Sequence, residues 1–564
     1  MRRALALAAI GLVAVGCTVG PDYKRPEAMV PAEYRGLGPS NPPGAGSLGE
    51  LPWWEIFGDP VLHELVREAI QQNYDLRVAA SRILDARAQV TVARSFQFPE
   101  LNARGSAPYQ KIEGDTGPFQ LGESFTPAGF LDLTFEIDFW GRFRRSTEAA
   151  RAELLATEWA RRVVMATLVT DVAVAYFNLR NLDKELEISR QTLDSRTDSL
   201  KLVTMREQGG VAALIDVRQS EILVAQAGEA VPDTERLIAQ TENALAVLLG
   251  RNPADVPRGR RLVEQITLPV LPTGFPSSLL ERRPDIAQAD ALLHSATARI
   301  GVAKSDYFPR VFLTGTAGAG GIWVNSSWLG PQGIFAVGPS FTLPIFNTGR
   351  TGAGVNSAEA RAQIALDQYR LTLVQAFREV ADALVEYQKR KEFRVQQEAL
   401  HVAARDTSRL ANMRYTGGVS SYLEVLDSER QLFDAELGVV RSYRDELIAV
   451  VRLYKALGGG WQETEAAAKT TPCPPPARED EGMPIKSYLA YPVRGRSDEL
   501  AAALRRLGGC QVFPALNRDV LVLVTDTPHE AADEALQSAL TVVAALDGLA
   551  LVAAVGGGAI EAPA

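Results

Sequence analysis

The sequence predicts a membrane β-barrel prolonged by an α-helical barrel, built from a duplicated strand and long-helix unit, with a small α+β domain at its C-terminal end. Three observations predict it. Landmarks return at one nearly fixed offset, two segments carry helical patterning far longer than a globular core requires, and stretches of about ten residues alternate apolar with polar side chains.

With 564 residues the chain is long enough for several domains. Its formal net charge of −9 argues against the basic surface that a nucleic-acid partner requires. The three cysteines are Cys17, Cys473 and Cys510, so the long stretch between the first two holds no disulfide and no thiolate zinc site. His63, His294, His401 and His529 are scattered rather than set at ligand spacing, and no metal site is expected. A phosphate-binding Gly loop and a nucleophile elbow are both missing, so the chain is not expected to be an enzyme.

Residues 1–17 read as a lipoprotein signal peptide: Arg2 and Arg3 open it, Ala4 to Val15 form an apolar run too short for a membrane span, and Gly16-Cys17 close it. Ala14 stands where Leu is commoner. A covalent lipid on Cys17 is the only attached group expected, with no other cofactor. Thr18 follows in place of the Asp that marks inner-membrane retention, which points to an outer-membrane anchor.

Two repeats follow, 18–250 and 251–461. Asn73-Tyr74-Asp75-Leu76 returns as Arg283-Pro284-Asp285-Ile286, and Phe98-Pro99 as Phe308-Pro309, both 210 residues on; Gly141-Arg142 returns as Gly349-Arg350, and Met205-Arg206 as Met413-Arg414, both 208 on. In each repeat a helix of about 35 residues should run to the Phe-Pro break. Two strands and a loop come next, then a very long helix, a Gly-Gly turn and a return helix. The first long helix, Phe143 to Met205, would measure roughly 95 Å. Its return helix is placed at Ala212 to Leu249. Leu179, Leu186, Leu193 and Leu200 recur every seven residues, as do Val217, Val224, Val231, Ile238 and Leu245, and in the second repeat Leu426, Phe433, Val440, Leu447 and Tyr454. That spacing keeps one seam on a neighbouring helix, a coiled coil. Pro232 should bend or open its helix.

Phe130 to Phe139 sets Leu131, Leu133, Phe135, Ile137 and Phe139 on one face and Asp132, Thr134, Glu136 and Asp138 on the other. A tilted strand of that length crosses a bilayer, with its apolar face to outer-membrane lipid and its polar face to a wet lumen. Phe335 to Phe346 repeats the pattern; strands near Leu101 to Tyr109 and Val311 to Gly318 bring the count to four, with loops at Lys111 to Pro127 and Ala319 to Ile334. Four strands cannot close a barrel, and an open edge in hydrocarbon costs several kcal/mol per unpaired group. Other copies must close it: a trimeric, 12-stranded barrel is preferred to eight strands from two chains.

At these landmarks the sequence resembles the outer-membrane efflux protein family, of the TolC and OprM type, in its NodT-like lipoprotein branch. The resemblance rests on the stretch from Cys17 to Pro26 (CTVGPDYKRP), Trp53-Trp54, Phe57-Gly58-Asp59-Pro60, Glu136-Ile137-Asp138-Phe139-Trp140-Gly141-Arg142, Glu281-Arg282-Arg283-Pro284-Asp285 and Leu343-Pro344-Ile345-Phe346, and it covers about Cys17 to Trp461. It implies a TolC-like homotrimer that is a passive outer-membrane channel for small molecules, loaded by a periplasmic membrane-fusion adaptor and an inner-membrane pump of RND or ABC type. Two alternatives stay open: a conduit for type I protein secretion, and a non-conducting structural periplasmic lipoprotein.

The resemblance also assigns sites. Gly209-Gly210-Val211 and Gly417-Gly418-Val419 would be the tips that touch the adaptor. Above them, Tyr415 matches the family's gate tyrosine, Leu423 its apolar ring, Glu424 and Asp427 its acidic positions, Arg430 a basic partner and Asp216 the acidic position of the first repeat. Glu424 replaces an Asp of the TolC pattern, and Ser420 stands where that pattern has an arginine.

Residues 462–483, with Pro472, Pro474, Pro475 and Pro476, read as a linker. In 484–564 the expected order is a strand at Ile485 to Val493, a helix at Ser497 to Leu507, a hairpin of Gln511 to Leu516 with Asp519 to Thr525, a helix at His529 to Ala545 and a strand at Leu549 to Val555. That is the ferredoxin-like βαββαβ pattern. Gly509-Cys510-Gln511-Val512, Val520 to Val524 and Leu546 to Val555 resemble the NapD-type chaperones, which implies an accessory binding module.

Overall fold

The computed structural model describes residues 18–28, 30, 31, 34, 35, 47–111, 123–265, 276–324, 327–461, 486–490, 510–514, 521–525 and 552–554. The chain divides into two compact units, Met1–Glu465 and Ala466–Ala564.

In the first unit two helices, α1 (Pro60–Gln72) and α2 (Tyr74–Ser95), replace the single helix expected before the first Phe-Pro. Asn73 makes the break. Its side-chain oxygen accepts from the Asp75 and Leu76 N–H groups, capping α2, while its amide donates to the Leu248 carbonyl at 2.9 Å. Apolar periodicity runs straight through such a cap, which is why the sequence pattern hides it. Arg283 makes the corresponding break in the second repeat, just before Pro284, and donates to the Ala456 carbonyl at 3.1 Å.

The long helices α3 (Arg142–Gln208) and α6 (Arg350–Thr416) have 67 residues each, and the return helices α4 (Leu214–Leu248) and α7 (Tyr422–Ala456) have 35 each. Sixty-seven residues of helix span about 100 Å. α4 continues through Pro232. Between α2 and α3 lie β1 (Glu100–Ser106), β2 (Tyr109–Lys111), β3 (Glu123–Phe125) and β4 (Ala128–Ile137). α5 (Pro284–Ser305) precedes β5 (Arg310–Val324) and β6 (Ser327–Thr342).

One core ties these lengths together. Trp53, Phe57, Leu62 and Val66 pack with Val172, Tyr176 and Phe177 of α3, Leu245 and Leu249 at the end of α4, and Val451 and Tyr454 of α7. At its centre Asp59 is fully buried and accepts from the Val61 and Arg260 N–H groups, the Gln265 amide and the Tyr176 hydroxyl, at 2.6–3.0 Å. Four donors offset the desolvation of one carboxylate. α3 is long and apolar enough to cross a membrane by composition, but 56% of its apolar window is buried within the chain.

The strands form one antiparallel arc. β1 pairs β4, β4 pairs β5 and β5 pairs β6; β2 and β3 continue the first two strand paths past breaks at Ala107-Pro108 and Thr126-Pro127. Four strand paths result, as expected. Two expectations fail locally. Residues 319–324 and 327–334, expected in a loop, are instead the far ends of β5 and β6, where Gly-rich sequence holds a ladder with one register shift between Gly320 and Ile322. Leu343 to Phe346, expected in the last strand, lies beyond the end of β6, because β5 begins only at Arg310, opposite Thr342.

The second unit holds β7 (Lys486–Ala490), β8 (Cys510–Pro514), β9 (Leu521–Thr525) and β10 (Val552–Ala554) in one antiparallel sheet of order β10-β7-β9-β8. The linker, the two helices expected at 497–507 and 529–545, Cys17 and Cys473 lie outside the described residues.

Candidate functional site

A wall that turns from strand into helix needs a sharp corner. Gly141 and Gly349 supply it at φ of 76° and 81°, left-handed values that glycine adopts without steric cost. Next to the first corner, Trp140 stacks on Phe308 with centroids 4.5 Å apart and donates to the Pro309 carbonyl at 2.8 Å. The N-terminal arm, residues 18–28, is anchored here: the Val19 N–H donates to the Trp140 carbonyl at 3.1 Å, Arg145 holds Asp22 at 2.6 Å, and Tyr23 stacks on His294.

The strands present two unlike faces. Leu131, Leu133, Phe135 and Ile137 stand opposite Ala317, Gly315, Leu313 and Val311 on one face. The other carries Asp132, which accepts from Thr316 at 2.9 Å and pairs with Arg104 at 3.3 Å. At the far end the apolar face closes with a row of aromatics in direct cross-strand register: Tyr109 opposite Phe125, Phe125 opposite Trp323, Trp323 opposite Trp328. From Val311 to Trp323 is about 40 Å along the strand, or about 30 Å of height at the usual barrel tilt, the thickness of a bilayer's hydrocarbon core.

At their far ends both long helices stop in the same turn. Val211 donates to the Arg206 carbonyl and Gly210 to that of Glu207; Val419 and Gly418 repeat this on Arg414 and Tyr415. These are Schellman caps, with Gly210 and Gly418 in the left-handed position after Gly209 and Gly417. Val211 and Val419 are left about 70% exposed, beside exposed Leu214, Ile215 and Leu423.

The residues assigned by resemblance fall into two groups. Tyr415 is buried within the chain; its ring lies 5.0 Å from that of Tyr422 and under the Arg206 guanidinium at 4.6 Å. Leu423, Glu424, Asp427 and Arg430 are exposed: Glu424 lies 3.6 Å from Arg414, and Asp427 pairs with Arg430 at 2.9 Å and accepts from Gln431. Asp216 accepts from the Ala213 N–H at the start of α4. Sequence reasoning missed three residues. Arg206 of the first repeat supplies the guanidinium beside Tyr415 of the second, and Tyr422 lies 2.7 Å from the buried hydroxyl of Ser220. All four lower helices meet in this knot. Higher up, Arg196 is buried against Phe433 and donates to the Leu223 carbonyl; burial pushes its pKa down and that of nearby Glu429 up. No cluster that could hold a metal occurs among the described residues.

Comparison with known proteins agrees with this architecture. The family model for outer membrane efflux protein matches residues 65–251 and 275–459, one match per repeat. The toluene efflux pump outer membrane protein TtgC of Pseudomonas putida is 36% identical over 475 residues, 82% of this chain and 97% of that protein. The cation efflux system protein CusC of Escherichia coli is 32% identical, over 80% of this chain and 98% of that one. Among solved structures, the open state of the Neisseria gonorrhoeae MtrE outer membrane channel superposes with a TM-score of 0.70 at 30% identity, covering 79% of this chain and 99% of its own. The duplicated wall of strands and 67-residue helices, matched twice by one family model, makes this chain a member of the outer membrane efflux protein family.

Proposed function

We propose that the chain is the outer-membrane conduit of a tripartite efflux system, passing small toxic molecules from an adaptor-coupled inner-membrane pump to the exterior. It supplies no energy of its own. The observation that carries this reading is the four-strand arc: an apolar face of bilayer height, an aromatic row at its outer end and a polar opposite face, continued by helices about 100 Å long. Among the described residues β1 and β6 each have one partner, which leaves two open edges. Closure by three copies gives twelve strands around a lumen wide enough for organic solutes. The names of relatives, a toluene pump and a cation system, support small cargo.

In this reading the two Schellman tips, with Val211 and Val419 outermost, meet the adaptor. The knot of Arg206, Tyr415, Ser220 and Tyr422 holds the tunnel end together, and Leu423, Glu424, Asp427 and Asp216 ring the constriction. Threefold carboxylates there favour cations over anions. A lipid on Cys17 fits the position of Thr18, which lies against the Gly141 corner at the base of the barrel. For the C-terminal unit we infer a ferredoxin-like accessory module. Its support is the sheet order, in which the first and third strands lie centrally between the fourth and the second.

Conductance of the purified oligomer in planar bilayers tests the channel, and deletion in the native host followed by a susceptibility panel tests the cargo. A silent bilayer would leave a structural lipoprotein. Unchanged susceptibility with lost secretion of a protein would make the cargo polypeptide.

A further inference from the structure

We propose that Arg104, Phe130 and Ile334 form a collar on the inner face of the strand wall that binds aromatic organic anions in transit; the inference rests on the channel proposed above. Cross-strand register puts the three in one row. Arg104 of β1 stands opposite Phe130 of β4, Phe130 opposite Gly318 of β5, and Gly318 opposite Ile334 of β6. These positions alternate with the lipid-side row of Ala103, Leu131, Ala317 and Phe335, so their side chains belong to the lumenal face that carries Asp132. Gly318 comes seven residues after Val311 (318 − 311 = 7), about 23 Å along the strand and roughly half the height of the hydrocarbon core at the usual tilt.

The rows on either side differ from it in kind. Toward the helices the next lumenal row is Asn102, Asp132, Thr316 and Ala336, and toward the outside it is Ser106, Ala128, Gly320 and Gln332. Neither carries an aromatic or a large apolar side chain. Between them the collar is a step of apolar surface, with Ile334 48% exposed, in a wall of small and polar groups.

The collar is held in place by its neighbours. A Cβ on Gly318 would come within 2.4 Å of the Phe130 ring, so the ring lies across that glycine, in space that a side chain would fill. The Arg104 guanidinium covers the ring at 5.5 Å from its centroid. Its Nε pairs with Asp132 at 3.3 Å, and Asp132 accepts from Thr316 at 2.9 Å. Arg104 is thus fixed from two directions, yet its side chain is 66% exposed, and its Nη groups have no hydrogen-bond partner among the described residues. A guanidinium held this way presents its planar fork to an oxyanion, the geometry a carboxylate matches. The solute that satisfies the whole row places a flat apolar ring against Phe130 and Ile334 and a carboxylate on Arg104. An aliphatic acid of equal charge lacks the first contact, and an aromatic cation lacks the second.

Planar-bilayer recording from the full-length oligomer tests the collar, with naphthoate as the probe and hexanoate and naphthylmethylammonium beside it. Naphthoate should interrupt the KCl current at a lower concentration than either. Arg104→Gln should raise its half-blocking concentration about tenfold, the loss of a charge-assisted contact, and remove its advantage over the aromatic cation. Phe130→Leu keeps apolar bulk but not the flat face; it should raise the naphthoate value about threefold and leave that of hexanoate in place, which tells a stacking site from a lone cation in a wide pore. A channel that conducts KCl and is blocked by naphthoate no better than by hexanoate, or whose block survives both substitutions, overturns the collar and leaves the channel standing. An oligomer that conducts nothing overturns both.

Discussion

Arg206→Ala combined with Tyr422→Phe should loosen the lower end of the tunnel. Two interactions are removed. Arg206 lies 4.6 Å from the Tyr415 ring in a partly buried setting, and such a cation–π contact contributes about 1–2 kcal/mol. The Tyr422 hydroxyl, 2.7 Å from Ser220 Oγ and buried, contributes about 1 kcal/mol more. Together these are about 2–3 kcal/mol per chain, or roughly 30- to 150-fold in the balance between knotted and released tips. Neither substitution creates a cavity in the core around Asp59, because Tyr422 belongs to the separate cluster of Val203, Val217, Tyr415 and Val425 and Arg206 lies over the Tyr415 ring of that cluster. Single-channel recording in planar bilayers reads the result: the double variant should show larger conductance and longer openings than the parent, and each single variant an intermediate gain. Conductance indistinguishable from the parent, with oligomer mass intact, would refute the knot as the element that keeps the end narrow.

Three further outcomes follow from the same geometry. Glu429 has a folded pKa raised by burial, so its contribution is most favourable below the ordinary carboxylate range and is lost as pH rises through the raised value; the protection factors of amides in 412–433, taken relative to the intrinsic exchange rate at each pH, should rise on acidification from neutral pH, and Glu429→Gln should abolish that trend. Asp59→Ala strands the Tyr176 hydroxyl and two backbone N–H groups, and thermal unfolding in detergent should report a loss of about 3 kcal/mol or more, against wild-type-like melting if the node is dispensable. Gly141→Ala meets both a positive φ, worth about 1–2 kcal/mol, and a Cβ placed 2.8 Å from Thr18, so limited proteolysis should cut the N-terminal arm faster than in the parent.

The duplication, the helix lengths, the strand count and the Gly-Gly turns were legible because each rests on a periodicity or on a residue with special backbone freedom. Asn73 and Arg283 were not legible as breaks: a cap interrupts hydrogen bonding without interrupting the apolar pattern. The far hairpin of β5 and β6 read as a loop because its glycines lower strand propensity, while the ladder that overrides them belongs to neighbouring strands. Of the tip, the sequence alone showed only the turns, and the resemblance pointed to Tyr415 and the acids. Arg206, Ser220 and Tyr422 stayed hidden, since their partners lie more than 200 residues away in the other repeat.

That distance is also why the two repeats can be alike at the corners and unlike at the tips. Both keep an arginine just before the turn, but the residue after it is Glu207 in the first repeat and Tyr415 in the second, and Leu214 faces Tyr422 in the same comparison. With the aromatic pair in the second hairpin alone, Arg206 must cross to it, while Arg414 turns to Glu424 within its own. The contact between Arg206 and Tyr415 thus ties the two hairpins to each other without altering the caps that both tips share.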